Sequence, residues 1–211
     1  RVCCIKGRLS RTPPRLPNPL IPCQASPMRH LSAILCLTLA VLLGSAGVSW
    51  SADYQKGSDA ALQKDFVTAL KEWKPLAERG DSTPQFQLGW LYHEGLGVTQ
   101  DYKTAVRWYT RAADQGNASA QNNLGLMYRK GRGVLQDYKT ALKWYRLAAK
   151  QGNASAQNNL GFMYERGHGV VQDYVRAHMW WNIAASSGNK DAVKNREIIA
   201  KQMTPSQLET A

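Results

Sequence analysis

The sequence predicts an all-α solenoid of helix-turn-helix units, and three observations carry that prediction. The eleven residues QGNASAQNNLG stand at 115–125 and again at 151–161, a step of 36. At that step, residues 81–116, 117–152 and 153–188 align as three full units with no insertion or deletion. Within each unit apolar residues recur every three or four positions, the spacing of one helical face, and glycines interrupt the pattern twice. A chemical site is rarely needed more than once. A helix pair that cannot bury its apolar face alone is needed several times in succession.

The N-terminal residues stand apart from this pattern. Residues 1–27 are proline-rich, hold no Met and show no periodicity, and read as sequence upstream of the true start or as a disordered tail. Residues 28–52 have the order of a secretory signal peptide. Arg29 and His30 follow Met28, Leu31 to Leu43 is an apolar run of 13 residues, and small residues follow to Ala52. Thirteen residues fall short of the roughly 20 that cross a bilayer, so membrane contact is expected only through an uncleaved signal. All four cysteines lie before residue 50, which leaves the body without disulfides or thiolate metal sites.

The net charge of +12 divides unevenly. Six of the 27 basic residues and none of the 15 acids lie in residues 1–52. In the body the basic residues alternate with acids along helices, as on a solvated face, and no nucleic-acid site is expected.

Residues 53–80 are expected to be an N-terminal half-repeat, with one helix over 64–80. In each full unit Asp81, Asn117 or Asn153 offers a side-chain acceptor to the first free N–H groups of helix A, and Asn189 continues that column. Gly80, Gly116, Gly152 and Gly188 supply the left-handed residue that ends the preceding helix. Helix A of the second unit carries Ala120, Leu124, Met127 and Tyr128 on one face. Gly131-Arg132-Gly133 breaks it, and helix B restarts at Asp137, an acid at the positive end of the helix dipole. Gly89, Gly125 and Gly161 sit mid-helix, which calls for close helix packing. Ala105, Ala141 and Ala177 are the expected counterparts on helix B, and Tyr109, Tyr145 and Trp181 are expected to fill the joint to the next unit. Residues 189–211 form the C-terminal cap, where Thr204, Pro205 and Gln207 spell a capping box.

The stretch LGLMYRKGRGVLQDYKTALKWYRLAAKQGNASAQ resembles the Sel-one-like repeat (SLR), a relative of the tetratricopeptide repeat. Its LG-x-(M/L)-Y, G-x-G-V-x-Q-D-Y, A-x-x-W and A-A-x-x-G elements recur three times in register, and the resemblance covers residues from about 60 to 203. It implies a right-handed α/α solenoid that acts as an adaptor, often exported in bacteria. A subgroup with a disulfide in each repeat and penicillin binding is set apart by cysteines that the repeats of this chain lack.

In the related tetratricopeptide folds, helix A lines the concave face and inward positions flank the Leu-Gly pair. Carried onto this sequence, the first unit offers Phe86, Trp90 and His93, the second Asn122, Leu126 and Arg129, and the third Asn158, Phe162 and Glu165. Trp90, Leu126 and Phe162 form one apolar column, and the asparagine amides both donate and accept, which suits a peptide backbone.

Other motifs yield to structural readings. The Gly-x-Gly pairs follow helices and lack a third glycine, unlike dinucleotide loops. His93, His168 and His178 occupy different columns, so no metal site is expected. Ser187 and Lys190 match S-x-x-K, but Gly188 and Asn189 separate two helices between them. The expected protein is an exported monomer without cofactor that binds a protein or peptide and does no chemistry. A cell-wall module stacking Trp90 and Phe162 on peptidoglycan sugars is the alternative, and penicillin-type chemistry at Ser187 a further one.

Overall fold

The computed structural model of the chain describes residues 52–210, where every regular element is helical. Residues 52–62 form α1. Then come α2 (Phe66–Glu78), α3 (Ser82–Glu94), α4 (Tyr102–Asp114), α5 (Ala118–Lys130) and α6 (Tyr138–Lys150). The chain continues through α7 (Ala154–Arg166), α8 (Tyr174–Ser186), α9 (Lys190–Ala200) and α10 (Pro205–Thr210). The readings of residues 1–27 and of the signal-like stretch up to residue 51 lie outside the described residues. Helices pair within units (α3 on α4, α5 on α6, α7 on α8), and each second helix packs on the first helix of the next unit. The result is a right-handed α/α solenoid.

Local chemistry places the helix ends. Asn117, Asn153 and Asn189 each accept a bond from a backbone N–H three residues on, at 2.9 Å. Asp81 accepts from the Thr83 N–H at 3.1 Å. Helix B is capped in turn: the Asp137 carboxylate accepts from the N–H groups of Lys139 and Thr140 and from the Thr140 hydroxyl. Such caps contribute about 1 kcal/mol each. The predicted C-terminal box also forms. The Thr204 N–H donates to Gln207 Oε1 at 2.9 Å, and the Gln207 N–H donates to Thr204 Oγ1 at 3.3 Å.

Helix A meets helix B through an aromatic ring laid on a mid-helix glycine. A Cβ at Gly125 would stand 2.8 Å from the Tyr145 ring, and one at Gly89 2.5 Å from the Tyr109 ring. At Gly161 the ring is Trp181. The expected glycine–alanine contact is therefore corrected: the aromatic side chain is the main counterpart, with buried Ala105, Ala141 and Ala177 beside it. The rings also reach onward as expected, since Tyr109 clusters with Ala120, Leu124 and Met127 of the following unit. Burying such a ring contributes about 1.5–3 kcal/mol, more than the roughly 0.5–1 kcal/mol a mid-helix glycine costs.

The same joint appears once more, ahead of the three aligned units. Gly57 on α1 lies against Trp73 on α2. Here glycine and ring are 16 residues apart, against 20 in the full units, because the connection is only residues 63–65. The stretch expected as one helix over 64–80 is thus the second member of a helix pair.

Adjacent units are keyed by the second glycine of each Gly-x-Gly. A Cβ at Gly133 would strike the backbone of Tyr102 and Lys103, and one at Gly169 the backbone of Tyr138 and Lys139. Buried glutamines add a polar key. Gln85 and Gln121 each donate to a carbonyl of the preceding unit, Ala77 O at 3.0 Å and Ala113 O at 3.1 Å. Their Oε1 atoms accept from Gln115 and Gln151 at 2.7 and 2.8 Å. In the third unit Ser187 stands where that partner would be, and Gln157 Oε1 is buried without a hydrogen bond.

Two glycines separate conformational from contact cost. Gly116 has φ +88° and open space around its would-be Cβ. Gly116→Ala should cost about 1–2 kcal/mol from the left-handed backbone alone. Gly133 has φ +71° and the preceding helix against it. Gly133→Ala should lower the urea midpoint at least twice as far, and equal losses would contradict the keying role.

Candidate partner-binding face

Among the A helices, α3 carries the most apolar side chains at the predicted inward positions. Phe86 and Trp90 lie one turn apart on α3 and face Ser58, Ala61 and Leu62 of α1. With Gln87, and with Trp73 of α2 behind them, they line an open groove of about 450 Å³. The walls are braced. Trp90 meets Phe66 edge-on with centroids 5.9 Å apart, and Phe86 lies 6.0 Å from Tyr109. Trp73 stacks on Tyr54 at 6.2 Å and donates its indole N–H to the Tyr54 carbonyl at 3.3 Å. Leu62 is 83% exposed and forms a lip.

The other predicted residues lie elsewhere. Leu126 and Phe162 continue the Trp90 column along the solenoid but do not line this groove. Phe162 packs edge-on against Trp181 at 5.3 Å. Asn122 and Asn158 use their amides within the protein: Asn159 donates to Asn122 Oδ1 at 3.0 Å, and Asn195 donates to Asn158 Oδ1 at 3.1 Å. Asn122 in turn donates to Asn123 Oδ1, and Asn123 to the Tyr109 hydroxyl, both at 3.2 Å. These amides tie one A helix to the next. At their place the first unit has Phe86, which is why its face is apolar.

His93, Arg129 and Glu165 are the penultimate residues of their A helices. Their carbonyls accept from Gln100, Gln136 and Gln172 Nε2 at 2.7, 2.8 and 2.7 Å, which explains the recurring glutamine before each Asp-Tyr pair. The His93 side chain is buried, with Nδ1 3.4 Å from the Tyr109 hydroxyl. Burial holds its pKa below the ordinary value. Glu94, 3.9 Å away, pulls the other way, and Arg132 and Lys130 reinforce the drop. Burial likewise pushes the Tyr145 hydroxyl up to about 12, with Arg129 opposing. Glu165 pairs with Arg166 at 3.2 Å.

The sequence reading missed the α1 side of the groove. Its signal was a glycine placed before a large aromatic, Gly57 before Trp73, displaced by four residues from the repeat register. The S-x-x-K match is divided between helices: Ser187 caps α8 and donates to the Ile183 carbonyl at 3.1 Å, while Lys190 opens α9.

A solenoid of this geometry is a surface-presenting scaffold, and comparison with known proteins places it. The Sel1 repeat family matches at residues 85–117, 118–153 and 154–189. The fold is similar to that of c5321, a protective antigen of uropathogenic Escherichia coli strains that displays an SLR fold, at 39% identity and a TM-score of 0.65. That match covers 72% of this chain and 34% of c5321. A Sel1 repeat protein from Oxalobacter formigenes is similar at 34% identity and a TM-score of 0.65, over 69% of this chain and 58% of that one. This chain thus spans about a third of the first relative and somewhat over half of the second. A search of curated proteins gave no match. The chain belongs to the Sel1 repeat family, whose members are generally protein-interaction scaffolds and typically non-catalytic.

His93 gives the joint between α3 and α4 a pH signature. Its folded pKa lies below its unfolded value near 6.5, so the neutral form is the one folding favours. The stability this contributes is present above pH ~6.5 and is lost as pH falls through the unfolded value toward the folded one. The urea midpoint of the wild type should therefore drop more between pH 7 and pH 5 than that of His93→Gln. Equal drops would contradict a buried neutral imidazole.

Proposed function

We propose that the chain is an exported, non-catalytic scaffold that holds a protein or peptide partner on the face formed by its A helices. An apolar side chain of the partner sits between α1 and α3. The observation that carries this reading is the groove lined by Phe86, Trp90 and Leu62. It is open to solvent, apolar, and walled by rings already fixed against Phe66 and Tyr109. Aromatic side chains held in place contribute contact area at low entropic cost, which suits a binding anchor. Export rests on the signal-like order of residues 28–52, and the likeness to a protective antigen supports it.

The test is a crosslinking pull-down with the full chain from an envelope extract of the source cell. Leu62→Arg and Trp90→Ala run alongside, both checked by circular dichroism. Leu62 is exposed, so Leu62→Arg alters the groove without disturbing the core. A protein captured by the wild type and held at least tenfold more weakly by both variants is the expected result. Equal capture by all three would place the partner elsewhere. Sedimentation with peptidoglycan and no captured protein would replace this reading with wall binding. Retention of the wild type in the cytoplasm would overturn export.

A further inference from the structure

Three permanent cations share one cavity where the second and third full units meet. Arg129 and Lys130 end α5, and Arg132 lies in the loop that follows. With Gln136, Tyr138 and His168 they line a cavity of about 460 Å³ that no carboxylate lines. Among the described residues none of the three cations makes an ion pair. The Arg132 guanidinium lies 5.3 Å from the centre of the Tyr102 ring, and the Arg129 side chain lies beside the Tyr145 hydroxyl, with its Nε buried and unbonded. The His168 ring stacks on Tyr138 with centroids 4.2 Å apart and planes 12° apart, which fixes an aromatic wall.

The repeat does not require this cluster. The positions of Arg129, Lys130 and Arg132 hold His93, Glu94 and Leu96 in the first unit, and Glu165, Arg166 and His168 in the third. The helix dipole favours cations in the last turn of α5, which accounts for Arg129 and Lys130 but not for Arg132 beyond it. Like charges gathered in one concavity repel one another, and no carboxylate lines this one. A guanidinium fork bonds two oxygens of a carboxylate or phosphate at once.

We infer that this cavity is an oxyanion-binding site and that its ligand is a carboxylate-rich segment of a partner polypeptide. The polypeptide source rests on the scaffold reading above. The anion chemistry rests on the cavity alone.

The test titrates the full chain with fluorescent hexaglutamate and hexaglutamine at about physiological ionic strength. Hexaglutamate should bind, more weakly as salt rises, and hexaglutamine should not. Lys130→Gln with Arg132→Gln should weaken hexaglutamate on the order of tenfold or more. Lys130 is exposed, so Lys130→Gln alone leaves the core untouched and should still weaken it severalfold. Lys71→Gln with Lys74→Gln removes the same charge from exposed positions of α2 and should change affinity by less than about twofold. Equal losses for the two pairs would reduce the effect to overall charge and overturn the site. Tighter binding of inorganic phosphate than of hexaglutamate would overturn the choice of ligand. Trp90→Ala should leave hexaglutamate affinity unchanged, so failure of the groove and failure of this site are read separately.

Discussion

Each helix pair depends on one contact, the ring of helix B packed against a residue of helix A that has no side chain. At Gly89 and Gly125 the space a methyl group would need is already filled by Tyr109 and Tyr145. The glycine lowers intrinsic helix propensity, so α5 does not gain its stability from propensity. It forms because packing against α4 buries Leu124 and Met127, and because Gly125 lets α5 dock on α6, whose Tyr145 then spans two units. Stability in such an array is a sum over units and their joints, and a unit without neighbours lacks half its core.

Close packing within a unit brings a second constraint between units. The loop glycines Gly97, Gly133 and Gly169 rest on the backbone where the preceding helix B begins. That contact sets the step along the solenoid, and the glutamine and asparagine side chains then bond across it. These amides decide where a partner can find unsatisfied surface. In the second and third units the A-helix face is held by Asn122, Asn158, Asn159 and Asn195. In the first unit Phe86 replaces the amide, Asn123 turns to the Tyr109 hydroxyl, and the face becomes an apolar groove. Further along, the loop edge becomes cationic. One solenoid therefore presents two chemistries on neighbouring units, and the common backbone keeps them at fixed spacing.

Most of this fold was legible because the chain repeats itself. Exact recurrence at 36 residues aligned the caps, the turn glycines and the ring positions, and each has a local physical reason that sequence displays. The α1–α2 pair was hidden because its short connection shifts Gly57 by four residues against Trp73 and carries no Gly-x-Gly. The candidate site was legible in part. Phe86 and Trp90 stood out as large apolar residues at inward positions, and they line the groove. Asn122 and Asn158 looked like free amides because the bonds that occupy them join residues 37 apart on different helices. His93 resembled its column neighbours, and only the three-dimensional contact with Tyr109 shows it to be core.

The most direct test of this account is a double-mutant cycle at one joint, read by urea denaturation. Gly125→Ala places a methyl group 2.8 Å from the Tyr145 ring. Tyr145→Leu removes the ring. Gly125→Ala alone should destabilise by about 1–3 kcal/mol, the cost of overpacking. In the Tyr145→Leu background the same substitution should cost markedly less or become stabilising, since alanine favours the helix over glycine. Identical costs in the two backgrounds would mean that the ring does not set the glycine, and the contact on which this description of the solenoid rests would be wrong.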